Sequence, residues 1–433
     1  MTIIETTKVP VVPDEIARAV VLPESYKDED VIYPAYKWLR ENMPLGVAEV
    51  DGFDPLWLVT KHEDIMAVER QPDLYHNGDL NHILQNKAND LFQKDVLGNG
   101  SIRVLDSLTY MDPPEHTKVR AVAGQWFMPA HIRTFEEQIR GHAKAAVERL
   151  LSFDGECDFV KDFALHYPLH VIMTLLGVPE EDEPFMLRLT QDFFGTHDPE
   201  EQREGLELDP VAAAKQWSAT IQDFFDYFQD LAERRRRQPT DDLLSLIANS
   251  ELDGEPLSAG YQNGWYVAIA TAGHDTTSSS VAGGLLGMLR HPDQWAAVKE
   301  DDALIPGLVD ESLRYTSPVK HFLRNTTAPA VLRGQELGEM DRLMLLYASA
   351  NRDEDVFERP DAFDMRRRPN KHIAFGYGPH MCVGQHIAKL EMRILWQELL
   401  PRLRSVELAG EPRFVQTNFV GGLKTLPIRY TKA

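Results

Sequence analysis

Apolar positions recur at helical spacing through most of this chain, and strand-like alternation is confined to short stretches towards its two ends. The spacing predicts helices over residues 33–42, with Trp38 and Leu39 turned inward, and over 64–71. Two more fall within 131–175, around the turn Phe153-Asp-Gly-Glu. Amphipathic stretches at 179–195 and 210–237 are joined by a very acidic loop, and 241–248 is a short helix. Strands are predicted at 46–50 and 57–60 as a hairpin around Asp51-Gly-Phe-Asp, and again within 331–344. The tail stretch 417–422 reads as a hairpin. Residues 1–30 are polar and proline-interrupted, which predicts an extended arm. The long polar segment 75–110 reads as a loop of the kind that is often functional.

Four stretches carry charge or chemistry. The longest predicted helix begins after Ser258, a good N-cap, and runs to about His291, some 33 residues or roughly 50 Å. Its centre, Ala272-Gly-His-Asp-Thr-Thr-Ser-Ser-Ser, is a poor helical run, because Gly, β-branched Thr and Ser all lower propensity. A helix that gives up propensity at its middle invites a functional explanation, with a Ser/Thr-rich packing seam as the plain alternative. After Asp112-Pro-Pro, His116 and Arg120 share one helical face, which by itself reads as a solvated charged surface. Glu311 and Arg314 are three apart on another helix, an ion-pair spacing.

The fourth stretch runs from Phe375 to Glu391, loop first and helix after. Gly376, Gly378 and Pro379 favour tight turns, and Ile387, Leu390, Ile394 and Leu395 then return at helical spacing. Cys382 therefore sits at a helix N-terminus, where backbone N–H groups and the helix dipole favour a thiolate, a soft metal ligand. The glycines would let the backbone approach something flat and large. A buried, inert cysteine is the bland alternative. A zinc or copper site from His380, Cys382 and His386 is another, but the spacing matches no common zinc pattern.

Composition narrows the field. The 433 residues are 43% hydrophobic and 26% charged, as in an ordinary globular protein. The net charge of −23 argues against nucleic acid and against an anionic membrane surface. Cys157 and Cys382 are the only cysteines, so nothing resembles a secreted disulfide scaffold. No stretch reaches the roughly 20 apolar residues of a membrane helix, and no signal peptide is visible, so a cytoplasmic protein is expected.

The Cys loop resembles the haem-binding signature Phe-Gly-x-Gly-x-His/Arg-x-Cys-x-Gly of the cytochrome P450 superfamily. Phe375, Gly376, Gly378, His380, Cys382 and Gly384 fill every defined place. Ala272, Gly273, Asp275 and Thr276 match the family's distal-helix motif Ala/Gly-Gly-x-Asp/Glu-Thr. Glu311 and Arg314 match its Glu-x-x-Arg, and Phe363-Asp-x-x-Arg points to Arg367 as the third member. The resemblance spans essentially the whole chain. Asp154-Gly-Glu-Cys-Asp, residues 189–195 and 266–280, and Asn418-Phe-Val-Gly-Gly are most similar to the soluble bacterial branch that hydroxylates terpineol and cymene.

The resemblance implies a single domain over 1–433, mainly α with small β-sheets, with a long central distal helix. It implies haem b (iron protoporphyrin IX) with Cys382 as iron ligand and His116, Arg120 and Arg324 on the propionates. Phe375, His380, Gly384, Ala272 and Gly273 would border the same cofactor. Asp275 and Thr276 would serve as an acid–alcohol pair for proton delivery. The substrate pocket, carried over by position, would comprise Leu105, Leu108, Val267, Ala268, Thr271, Val319, Phe322, Phe419 and Val420. The implied activity is O2-dependent hydroxylation of a small apolar ring compound. Electrons would come from NAD(P)H through a reductase and an iron–sulfur ferredoxin, docked at a basic face that includes Lys118, Lys371 and Lys389. No nicotinamide or flavin fingerprint occurs in the chain. A peroxide-driven oxygenase or a non-catalytic haem sensor are the alternatives, and Asp275–Thr276 counts against both.

Overall fold

A computed structural model describes residues 9–98, 100–195, 198, 200 and 210–433. Helices dominate, and small sheets gather the N- and C-terminal regions. The main sheet has five strands in the order Leu45–Ala48, Leu56–Val59, Arg342–Leu346, His321–Thr326, Tyr75–His76. Its first two strands form the antiparallel hairpin expected from the sequence, while Arg342–Leu346 joins Leu56–Val59 in parallel. Arg342–Leu346 is buried along its whole length, which explains an apolar run without alternation. One face of this sheet packs on the helices Asp14–Val21 and Glu29–Asn42, and the other packs on His62–Glu69. Residues 9–30 are therefore not an extended arm: Ala17, Val20 and Val21 form a buried helical face.

The helical body is one continuous apolar core. Glu136–Ser152 packs against the helix that follows the Cys loop, Gln385–Leu399, whose Trp396 is fully buried. Glu183–Phe194 and Pro210–Arg237 are the two amphipathic helices predicted at 179–195 and 210–237. Most of the acidic loop between them lies outside the described residues. The segment 75–110 is not a plain loop, since it holds the strand Tyr75–His76 and the helix Lys87–Phe92. Cys157 lies on the strand Glu156–Asp158, opposite Ile428 and far along the chain from the Cys loop. Among the described residues, no helix is long and apolar enough to cross a membrane.

The long central helix is broken. Ala259–Ala272 and Asp275–Arg290 are separate, with Gly273 and His274 between them. Ser258 caps the first as expected, its hydroxyl accepting from the Tyr261 N–H at 3.2 Å. A Cβ on Gly273 would sit 2.8 Å from both the Ile172 side chain and the Ile269 carbonyl. The close crossing of the helix His166–Leu176 thus accounts for that glycine.

Candidate functional site

The chain reaches Cys382 through the irregular stretch 359–369, which a buried ion cluster fixes. Glu311 and Arg314 are both fully enclosed, paired at 2.7 and 2.8 Å. Arg314 also donates to the carbonyls of Asn351, Pro360 and Ala362. Arg367 Nε lies 3.2 Å from Glu311, and Arg367 donates to the Glu358 carbonyl at 2.6 Å. Asn351 then turns its side-chain oxygen to the Ile373 N–H at 2.8 Å, two residues before Phe375. One carboxylate and two guanidiniums therefore pin residues 351–373, and the Cys loop grows from that anchor.

Within the loop, the Cys382 N–H donates to the Phe375 carbonyl at 2.8 Å. Among the described residues, no side chain covers the Cys382 sulfur, although it lies deep enough in the protein to be desolvated. Desolvation pushes its thiol pKa up, against the N–H groups of Gly384 and Gln385 and the charge of Arg120, which pull it down. The N–H groups of the helix N-terminus thus favour the thiolate, as the sequence suggests, while burial opposes it. Those two N–H groups and a cation are the partners a sulfur anion needs once a metal draws it out. Gly376 and Gly378 have φ of +69° and +66°, and a Cβ on Gly378 would meet the Glu69 carbonyl at 2.1 Å. These glycines allow the loop to cross closely over the helix His62–Glu69.

Beside Cys382 the fold gathers four nitrogen-bearing side chains. The rings of His116 and His380 lie 4.0 Å apart, and Arg120 donates to the Met381 carbonyl at 2.6 Å. Arg324 approaches from the main sheet and pairs with Glu69 at 3.2 Å. His116 is buried with neither ring nitrogen hydrogen-bonded. Desolvation, then Arg120, pushes its pKa down to about 4, and burial with Arg324 and His116 pushes His380 far down too. Unpaired buried donors of this kind are costly unless an anion meets them. Sequence reasoning missed four supporting groups. Glu69, with a pKa raised by burial to about 7, accepts from Tyr347 at 2.7 Å and holds Arg324. Asn77 contacts His380 at 2.9 Å and is itself held by Asp112. No local pattern marks these groups, which come from separate parts of the chain. Among the described residues, no three His, Cys, Asp or Glu side chains are arranged to hold a metal ion, so the His380–Cys382–His386 zinc alternative has no geometry behind it.

Asp275 and Thr276 open the second half of the broken helix. The Thr276 hydroxyl donates back to the Ala272 carbonyl at 2.8 Å. Asp275 keeps one carboxylate oxygen buried and without a partner, and its other oxygen lies 3.4 Å from His274 Nδ1. Ala272 is exposed and Ala268, one turn earlier, is partly so. Val267 and Thr271, on the adjoining face, are buried, with the Thr271 hydroxyl bonded to the Val267 carbonyl. Val267 is therefore core, as is Leu105, and neither faces open space; Leu108 only packs against that core. At the tail, Val319 bridges to Val420 and Phe419 lies 5.4 Å from Phe322 and 6.3 Å from Phe194. Asn418 stands at the tip of the hairpin Arg413–Phe414/Leu423–Thr425. Its carbonyl accepts from His321 at 2.6 Å, and its side chain donates to the Val21 carbonyl at 2.7 Å. Of the expected docking lysines, Lys118 pairs with Asp253 and Lys389 with Asp310, while Lys371 is exposed.

The family model for cytochrome P450 matches residues 74–430. The chain is 55% identical to cytochrome P450-terp of a Pseudomonas species, over 98% of this chain and 99% of that one. It is 31% identical to linalool 8-monooxygenase of Pseudomonas putida, over 94% of this chain and 97% of the relative. Among solved structures, a P450 from Novosphingobium aromaticivorans superposes with a TM-score of 0.90 at 40% identity, covering 98% of this chain and all of that one.

Proposed function

This chain belongs to the cytochrome P450 family of haem-carrying, O2-dependent monooxygenases, and we propose that it hydroxylates a C–H bond of a small apolar ring compound. The substrate class is a monoterpenoid such as terpineol, or an alkylbenzene such as cymene. The names of the two Pseudomonas relatives support the terpenoid reading. The observation that carries it is the open Cys382 side chain, faced by the N–H groups of Gly384 and Gln385 and by Arg120.

The donor set fits haem b. Cys382 would ligate the iron, and Arg120, Arg324, His116 and His380 would hold the two propionates. The unpartnered ring of His116, neutral and carrying one N–H, supplies a donor that a buried carboxylate requires. Cys157, the only other cysteine, sits on a remote strand with its thiol pushed up to about 12, so thioether attachment has no second sulfur. When bound, the haem activates dioxygen and inserts one oxygen atom into the substrate, and the electron density that a thiolate ligand pushes onto the iron throughout this family favours O–O cleavage.

The protein's own part is positioning, protons and dryness. Asp275 takes a proton from the outer side of the helix break and offers it inward. Thr276 gives up its bond to the Ala272 carbonyl to hold that proton beside the reacting oxygen. Phe322, Phe419, Val319, Val420 and Ala268 present an apolar wall that favours a hydrocarbon ring and keeps water out. Electrons come from an iron–sulfur ferredoxin and its NAD(P)H-dependent reductase. Because Lys118 and Lys389 are already paired, Lys371 is the expected basic contact that remains open. The reading includes a cytoplasmic location. A spectral titration of the ferric enzyme with terpineol, cymene and larger aromatic hydrocarbons tests the substrate class. Tight spin-state shifts are expected with the first two, and full turnover on hydrogen peroxide without ferredoxin would overturn the electron source.

A further inference from the structure

His274 occupies the break in the central helix and is fully enclosed. Its Nε2 lies 2.8 Å from the Leu165 carbonyl. A carbonyl only accepts, so Nε2 carries a proton. Its Nδ1 faces two oxygens, Thr190 Oγ1 at 3.2 Å and Asp275 Oδ1 at 3.4 Å. The Thr190 hydroxyl has one hydrogen, which it donates to the Leu187 carbonyl at 3.0 Å. With a neutral ring, the Nδ1 lone pair of this fully enclosed side chain would point at two acceptors. Turning the Thr190 hydrogen towards Nδ1 would still leave the Asp275 oxygen against that lone pair. One extra proton, on Nδ1 or on Asp275, removes the conflict.

We propose that Thr190, His274 and Asp275 form one buried proton-holding unit, in which His274 stores the proton that Asp275 hands to Thr276. The inference rests on the reading of Asp275–Thr276 as the proton-delivery pair. In the transfer, the Nδ1–H bond breaks and an O–H bond forms on Asp275. The ring is left neutral, with Nε2–H still on Leu165. Reprotonation comes from solvent through the cavity that Asp275 borders, lined also by Gln191, Ser278, Ser279 and Lys424. His274 and Thr190 are thus positioning residues that act through Asp275.

The electrostatics agree. Burial disfavours the charged ring, but Asp275 outweighs it, and the His274 pKa lies above the ordinary value. From the first turn of the helix His166–Leu176, His166 also faces the ring. Its own pKa is pushed down by desolvation and by Arg149, so it leaves the extra proton to His274. Thr190 from the helix Glu183–Phe194 contributes no charge.

The test uses the holoenzyme in its diamagnetic ferrous–CO state with 15N-labelled histidine. The His274 signals are identified by their loss in His274→Gln or their shift in Asp275→Asn. Both ring nitrogens should be protonated at neutral pH in the wild type, and Asp275→Asn should return the ring to the neutral Nε2–H form. A neutral wild-type ring overturns the inference. In turnover, oxygen consumption should fall as pH rises through the His274 pKa. His274→Gln should be several-fold slower at low pH and lose that limb, with an unchanged CO spectrum. A limb that persists in His274→Gln overturns the inference, while unchanged oxygen consumption in Asp275→Asn overturns the underlying proton-delivery reading instead.

Discussion

Replacing Glu311 by Gln changes one atom in a group that receives bonds from three sides. One carboxylate oxygen accepts from Arg314 Nη2 at 2.7 Å and from the Asp364 N–H at 2.8 Å. The other accepts from Arg314 Nε at 2.8 Å, Arg367 Nε at 3.2 Å and Asn370 Nδ2 at 3.0 Å. Whichever way the new amide turns, its NH2 faces donors only. Two guanidiniums then remain buried without a counter-charge, a loss of about 3–5 kcal/mol for breaking a buried pair. At about 2.1 cal/mol/K per residue, the 433-residue chain has an unfolding entropy of roughly 0.9 kcal/mol/K, so the midpoint should fall by about 4 °C. The local effect should be larger. Arg314 holds the Asn351 carbonyl and the Asn351 side chain holds Ile373, so the Cys loop loses its anchor first. Thermal unfolding is read alongside the share of ferrous–CO protein that keeps the red-shifted thiolate band. A midpoint within ~1 °C of wild type, with the full thiolate band, would refute the anchoring argument.

Cys382→His should abolish the red-shifted CO band, whereas Cys157→Ser, on a remote strand, should leave it in place. Thr276→Ala should consume oxygen at a comparable rate but release hydrogen peroxide and lose product, because the hydroxyl is removed and the backbone spared. Asp275→Asn should instead slow oxygen consumption itself; product, peroxide and NAD(P)H counted per turnover separate the two. His170 pairs with Glu183 at 2.5 Å, and that contact outweighs desolvation to hold its pKa above 6.5. Its contribution is complete below about pH 6.5 and is lost as pH rises through the folded pKa, so His170→Gln should lower stability at pH 6 more than at pH 9. The pair is partly exposed, which limits the difference to about 1 kcal/mol; equal losses at both pH values would count against it.

Local chemistry was legible in the sequence where a few consecutive residues decide it. Ser258 caps a helix wherever that helix goes, and Glu311 and Arg314 meet because they are one turn apart. The break at Gly273 and His274 was not legible. A hydroxyl-rich run reads as a weak helix whether or not it is continuous, and the break coincides with a crossing by Ile172 from another helix. The same holds for Glu69, Arg324 and Tyr347, which are distant in sequence and meet only on the folded sheet. The helix Asp14–Val21 was obscured by its flanking prolines, and its apolar face has meaning only against the sheet that covers it. Val267 was misplaced by position alone, since a residue one step round the helix from the partly exposed Ala268 looks into the core.

The bond from Asn418 to the Val21 carbonyl couples the proposed substrate wall to the opening helix of the chain. Selectivity is therefore heritable from residues that never meet the substrate. A chimera that exchanges residues 14–21 with a relative should drag the hairpin tip with it and alter which isomers are accepted. Mutant libraries restricted to the cavity lining would overlook that lever, and an affinity tag fused ahead of Asp14 belongs among the variables of any substrate screen.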